Sequence, residues 1–199
     1  ADLCLKHLVI TSVDRDDLDD LGATHFAQTI DAVSRFNPQS IIEVLTPDFQ
    51  GRGELIDLVC RAEPKIYNHN IETVERLTPQ VRSASKYARS LSVIEWVKKN
   101  YSHQITKSGI MLGLGETETE IIQAMQHLYN HGCDMLTLGQ YLQPTPHHLP
   151  VYRYVDPLEF NEYRAIGKKI GFKAVFSGPF VRSSYLADEL YERINHETK

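Results

Sequence analysis

The chain has 199 residues, is 42% hydrophobic and carries 21 basic against 26 acidic residues, a net charge of −5. That is enough apolar material for one sizeable core, and the charge balance argues against non-specific nucleic-acid binding, which needs a basic footprint. No run of about 18 apolar residues is present to span a membrane, and the opening ADLCLKHLVITSV has neither the basic region nor the small-residue cleavage site of a secretory signal.

In chain order, the first apolar, β-branched run is HLVITSV (7–13), a predicted strand. VDRDDLDDLG (13–22) follows, with five aspartates in seven positions. Its order does not fit a calcium loop, and acid at a helix N-terminus is favourable, so most of these charges read as helix starters. THFAQTIDAVSRF is a predicted helix with Phe26, Ile30 and Val33 on one face. The strand IIEVL (41–45), the helical run LIDLV before Cys60 and the strand KIYNHN (65–70) come next. SLSVIEWVKKNY is helical, and GIMLGL (109–114) is a strand. In TETEIIQAMQHLYNHG, Thr117 and Glu120 spell a capping box and Gly132 a stop. MLTLGQYL (135–142) is a strand, QPTPHHLPVYRYVDP an irregular connection, DPLEFNEYRAIGKKIG a helix and KAVFSG (173–178) the last strand.

Alternating strands and helices imply a parallel sheet, doubly wound or curled into a barrel. A Rossmann fold needs GxGxxG after its first strand, and TSVDRDD does not supply it. Polar residues end nearly every strand: Ser12 and Asp14, Thr46 and Asp48, Asn68 to Glu72, Glu116, Gln140, and Ser177. In a β/α barrel those positions converge on one rim, where chemistry sits. The reading is a partial (β/α) barrel, with residues 1–199 as one domain that includes a C-terminal extension over 178–199.

The motifs divide. YNHNIE (67–72) sets two amides, an imidazole and a carboxylate at a strand end, with alternation pointing Asn68 and Asn70 one way and His69 the other. Amides and a carboxylate suit a sugar diol, and equally a polar loop capping a helix. GLGET (113–117) could receive an anion on its N–H groups but lacks the GK[ST] of a phosphate loop. Gln140, Gln143, His147 and His148 include a histidine pair too isolated for a metal site. Cys4, Cys60 and Cys133 form no local cluster or zinc motif, and their sparseness fits a reducing compartment. GPFVRSSYLAD (178–188) reads locally as a turn in which Ser183 or Ser184 caps a helix.

Taken together, ITSVDRDDL, LTPDFQGR, YNHNIETV, YARSL, KSGIMLGLGET, MLTLGQYLQP, HHLPVYRYV and GPFVRSSY, in this order, resemble the lipoyl synthases of the radical S-adenosylmethionine (SAM) superfamily. The resemblance runs from about Leu5 to Asp188. It implies a partial radical SAM barrel and an enzyme that inserts two sulfurs into an octanoyl chain on a lysine of a lipoyl carrier domain. It implies two 4Fe-4S clusters, one cleaving SAM to a 5′-deoxyadenosyl radical and an auxiliary one consumed as the sulfur source. The carrier would be a glycine cleavage H protein or a 2-oxoacid dehydrogenase E2. The electron donor would resemble ferredoxin or flavodoxin, and the setting would be cytoplasmic, or organellar in a eukaryote. By motif position Ser184 ligates the auxiliary cluster, with Arg182 beside it favouring the alkoxide. A hard oxygen on a soft cluster is a weak ligand that can leave. The resemblance makes Asn68, Asn70 and Glu72 candidates for the SAM ribose. Ser12, Asp14 and Arg82 become candidates for its aminocarboxylate end, and Gln140 and Tyr141 for the neighbourhood of its adenine.

The family's CxxxCxxC and CxxxxCxxxxxC motifs are not in this sequence, so the expectation is a C-terminal portion that begins at the barrel's second strand and is inactive alone. A non-catalytic remnant that binds SAM or a carrier is the alternative. An aldolase-type barrel needs a Schiff-base lysine at a strand end, and Lys107 is placed at a strand start.

Overall fold

The computed structural model describes residues 5–182. Six parallel strands lie side by side in sequence order: β1 (His7–Thr11), β2 (Ile41–Leu45), β3 (Ile66–Asn68), β4 (Ile105–Leu112), β5 (Met135–Gln140) and β6 (Ala174–Gly178). Every neighbouring pair is parallel. Six long helices or helical turns connect them: α1 (Ala23–Phe36), α2 (Gly53–Arg61), the single turn α3 (Thr78–Val81), α4 (Tyr87–Asn100), α5 (Glu118–Asn130) and α6 (Pro157–Ile170). This strand–helix alternation, in an open sheet of that order, is the expected partial barrel.

Helix ends are written in local sequence. Thr117 and Glu120 form the expected capping box of α5, and Arg76 grips the same glutamate at 2.6 and 3.0 Å. Asp156 and Glu159 repeat the device on α6, with Pro157 at its first turn and Gly171 in the left-handed conformation at its end. Asp20 accepts from Gly22 and Thr24 N–H at the start of α1, so one aspartate of the acidic run is a helix starter where most were expected to be, and Asp17 instead pairs with Arg15. On α2 and α4, Trp96 lies on Gly53, where a methyl group would collide with the indole, and donates Nε1–H to Asp57 at 2.9 Å.

Between sheet and helices lie two apolar clusters. Ile42, Val44 and Tyr67 face α1 and α2, and Ile110, Leu136 and Leu138 face α4, α5 and α6. Alternation then turns the intervening residues into the barrel interior. On the β5–β6 side that interior is apolar, with Met135, Ala174, Phe176 and Val181 packed together. On the other side it is charged. Lys107 Nζ donates to both oxygens of Glu43 at 2.9 and 3.0 Å, Asn68 Nδ2 donates to Glu43 at 2.8 Å, and His7 Nε2 lies 3.6 Å from the same carboxylate. Lys107 and Glu43 are fully buried.

Here the structure corrects the sequence reading. β4 begins at Ile105, not Gly109, so Lys107 is the third residue of the strand rather than its start. The prefix Ile105–Ser108 carries no apolar alternation, because Thr106 is held by Asp134 and Lys107 by Glu43. Removing one member of a buried pair leaves an uncompensated charge. Lys107→Met is therefore expected to cost about 3–5 kcal/mol, and the double change Lys107→Met/Glu43→Leu to recover much of that loss. Urea denaturation of the two variants checks it.

Candidate functional site

The carboxyl ends of β3, β4 and β5 frame a cavity of about 320 Å3, lined among others by Asn70, Glu72, Gly109, Thr137, Gln140 and Arg182. A larger cleft of about 610 Å3 lies by the amino ends of β2 and β3, but exposed side chains such as Arg35, Arg61 and Glu63 wall it. That end of a barrel carries stability rather than chemistry.

Backbone geometry builds the first cavity. Past the end of β3 the chain bridges to β4: Glu72 N–H donates to Gly109 O at 3.0 Å and Met111 N–H to Glu72 O at 2.8 Å. This holds Glu72 at φ 65°, an uncommon conformation for a residue with a side chain. Burial raises the Glu72 carboxyl above the usual range, against the lowering effect of Asn70 and Arg82. Asn70 Nδ2 donates to that carboxylate at 3.1 Å. The amide sits with its nitrogen on Glu72. Its oxygen, Oδ1, is left buried without a hydrogen-bond partner. Gly109 has no side chain, which lets Asn70 Oδ1 and Thr137 Oγ1 approach its Cα from two sides; an added methyl would sit 2.9 and 2.8 Å from them.

A second relay supports the first from behind. His69 points away from the interior, as alternation predicts. Thr46 O lies 2.9 Å from its Nδ1, and a carbonyl only accepts, so Nδ1–H donates. Nε2 therefore accepts from the Ser90 hydroxyl at 3.0 Å. Arg82 Nη1 donates to both Ser90 Oγ and Asn70 O, at 3.2 and 2.9 Å, and so ties α4 to the Asn70 turn. Burial lowers the His69 pKa to about 4.

The other sequence candidates take different positions. Asp14 and Arg82 line a separate cavity of about 200 Å3 at the rim beside β1 and β2, together with Arg15, Asp48 and Arg89. Ser12 is exposed and donates to Val13 O. Asn68 lies deeper, on Glu43. Gln140 borders the main cavity, but its amide clamps the following loop: Nε2 donates to Tyr141 O and Arg153 O, and Oε1 accepts from Val155 N–H. Tyr141 is buried and donates its hydroxyl to Leu149 O at 2.8 Å. Ser184 lies outside the described residues. Two N–H groups of the GLGET loop are already taken, because Glu116 accepts from Gly113 and Leu114 N–H at 2.5 and 2.8 Å. His148 rests on Thr145, and among the described residues no group of three or more His, Cys, Asp or Glu could hold a metal ion. Cys60 and Cys133 are buried in the helix-facing clusters, and burial pushes both thiols up, so neither offers a thiolate to the cavity.

Sequence reasoning missed Thr137, Gly139 and Glu43. The last had a signal, being a lone carboxylate inside the apolar run IIEVL. Thr137 and Gly139 had a weaker one, since they alternate with the helix-facing Leu136 and Leu138.

The model of the Radical SAM superfamily matches residues 1–128, and the chain belongs to that superfamily. Within it, the chain is similar to lipoyl synthases. It is 56% identical to that of Phocaeicola vulgatus over 186 residues, 93% of this chain and 64% of the relative. It is 52% identical to that of Thermus thermophilus over 192 residues, 96% of this chain and 59% of the relative. The chain thus spans less than two thirds of the length of either. Among solved structures it resembles Streptococcus suis SuiB bound to S-adenosylmethionine (TM-score 0.63, 9% identity, 86% of this chain and 39% of that one). It also resembles methylornithine synthase, PylB (TM-score 0.59, 10% identity, 97% and 67%). At such identities these structures speak for the fold alone. Among the described residues no helix is long and apolar enough to cross a membrane.

The His69 relay has a pH signature. A histidine whose folded pKa is depressed adds stability that is complete above its unfolded value of about 6.5. That stability is lost as pH falls towards about 4. The contribution is of order 3 kcal/mol. Unfolding free energies measured from pH 7 to 4 are expected to fall through this window, and less steeply in His69→Gln.

Proposed function

We propose that this chain forms the SAM-holding barrel of a lipoyl synthase. Such an enzyme inserts two sulfurs into an octanoyl chain on a lysine of a lipoyl carrier domain, of the glycine cleavage H protein or a 2-oxoacid dehydrogenase E2. The single observation that carries the reading is Asn70 Oδ1, a buried acceptor with no partner beside the Glu72 carboxyl and the bare Cα of Gly109. That arrangement asks for a ligand that brings hydroxyl donors, and the ribose of SAM is such a ligand. The similarity to lipoyl synthases names the chemistry that SAM would serve.

In this reading Asn70 and Glu72 hold the ribose, and Thr137 offers a further hydroxyl. Asn68 and its carboxylate floor lie beneath them. Arg82 holds the Asn70 turn by its carbonyl and presents its guanidinium to the neighbouring cavity, where Asp14 also lies, so the aminocarboxylate end of SAM belongs on that side. Gln140 and Tyr141 act through the loop they clamp, which walls the cavity on the adenine side. Arg182 brings a positive charge to the mouth, and Ser184 is assigned as a ligand of the auxiliary cluster. Bound iron–sulfur clusters would supply the electron for SAM cleavage and the sulfur for insertion. The described residues provide no thiolate for either, so their cysteines would come from outside residues 5–182. A ferredoxin or flavodoxin in the cytoplasm is the matching electron source.

Asn70→Ala removes the unpaired acceptor and the partner of Glu72 together. It is expected to weaken SAM binding about tenfold or more, since a lost polar contact in a buried site is worth about 1–3 kcal/mol. Calorimetric titration of the protein with SAM measures this. Mass spectrometry of an octanoyl-lysyl carrier incubated with SAM, reductant and the chain joined to the cluster-binding cysteine motifs that residues 5–182 do not provide tests the chemistry. Unchanged affinity in the variant, or no sulfur in the carrier, would overturn the reading.

A further inference from the structure

After β6 the chain does not leave the barrel; it turns back across its open end. Val181 N–H donates to Gly178 O at 3.1 Å and closes a turn. Val181 then buries its side chain, only 6% exposed, against Met135, Ala174 and Phe176, the apolar half of the barrel interior. Its carbonyl lies on the Cα of Gly139 in β5. A methyl group at Gly139 would overlap the Val181 oxygen and stand 3.3 Å from Arg182 Nη1. Arg182 Nη1 donates to Val181 O at 2.7 Å, with Pro179 O at 3.4 Å, so the guanidinium folds back onto its own turn. Phe180, between the two anchored positions, is 82% exposed. The φ of Gly139 lies outside the left-handed region, so backbone freedom does not explain the glycine. The close approach of the crossing chain does.

We infer that Gly139 and Val181 are positioning residues. Together they seat the turn that follows β6, and by doing so they set Arg182 over the mouth of the barrel. The inference deepens the proposed function and rests on its reading of the RSSY turn as part of the site. The seat is a matched pair: an apolar plug that fills the interior from above and a bare strand position that admits its carbonyl. Neither half holds the turn without the other.

Trypsin reads the seat directly, because it cuts after Arg182 and cleavage needs the local backbone to open. Gly139→Ala forces the Val181 carbonyl off the strand. It is expected to speed cleavage at the Arg182–Ser183 bond about ten- to hundredfold, while other sites remain protected. Val181→Ala removes the plug without touching β5 and is expected to give an increase of about tenfold. It decides the matter if Gly139→Ala unfolds altogether and opens every site at once. Gly178→Ala, whose methyl would meet only Val181 Cγ2 at an ordinary 3.5 Å, is expected to leave the rate unchanged. Cleavage of both Gly139→Ala and Val181→Ala at the unsubstituted rate overturns the seat. Iron and sulfide content, measured on the chain joined to the cluster-binding cysteine motifs that residues 5–182 do not provide and loaded anaerobically, separates the seat from the functional reading. Faster cleavage with loss of iron supports both. Faster cleavage with undiminished iron supports the seat and counts against Ser184 as a cluster ligand.

Discussion

The interior of this barrel depends on one ion pair. Lys107 and Glu43 meet out of reach of solvent, and the same carboxylate accepts from Asn68 and faces His7, so one residue from each of β1 to β4 joins a single polar knot. Desolvating two charges is costly, and an apolar pair of similar volume is often as stable. The knot's contribution therefore lies in what it fixes. It sets the strands' inner faces in register and gives Asn68 one orientation, since the amide nitrogen must face the carboxylate. It also makes the floor beneath the site a polar one.

The site above repeats that logic at the rim. Asn70 faces Glu72 as Asn68 faces Glu43, nitrogen to carboxylate, and each leaves its amide oxygen buried and unpaired. Buried acceptors without donors are uncommon in folded proteins and call for an explanation. Two of them, on Asn68 at the end of β3 and on Asn70 just past it, mark the direction in which the barrel addresses a ligand. The His69 relay on the other face of the same segment shows how the cost of the Glu72 turn is met. Thr46, Ser90 and Arg82 hold the backbone from behind, so the unusual dihedral is imposed by the surroundings.

Much of this was legible in the chain before any coordinates. Asp20 at the start of α1, the Thr117–Glu120 box and the Asn68–Asn70 alternation all act locally, and local chemistry survives into the fold. What stayed hidden depends on distant partners. Lys107 looked like a strand start because its reason for being inside β4 is a carboxylate 64 residues earlier. The GLGET loop looked able to take an anion until Glu116 was seen to use two of its N–H groups. Gln140 looked like a ligand contact, yet its amide is consumed by residues 141, 153 and 155. Alternation placed Gly139 on the inner face, but nothing nearby showed why it is a glycine, since the segment that needs it arrives some forty residues later.

The sole tryptophan of the chain stands well apart from all of this. Trp96 joins α2 to α4 on the outside of the barrel, pressed on Gly53 and bonded to Asp57. Its indole is a natural fluorophore reporting on the packing of two helices that do not touch the post-β6 turn. Emission from Trp96 can therefore follow the integrity of the outer layer. Loosening of the turn over the mouth and loss of the barrel wall become optically separable events, with no label added.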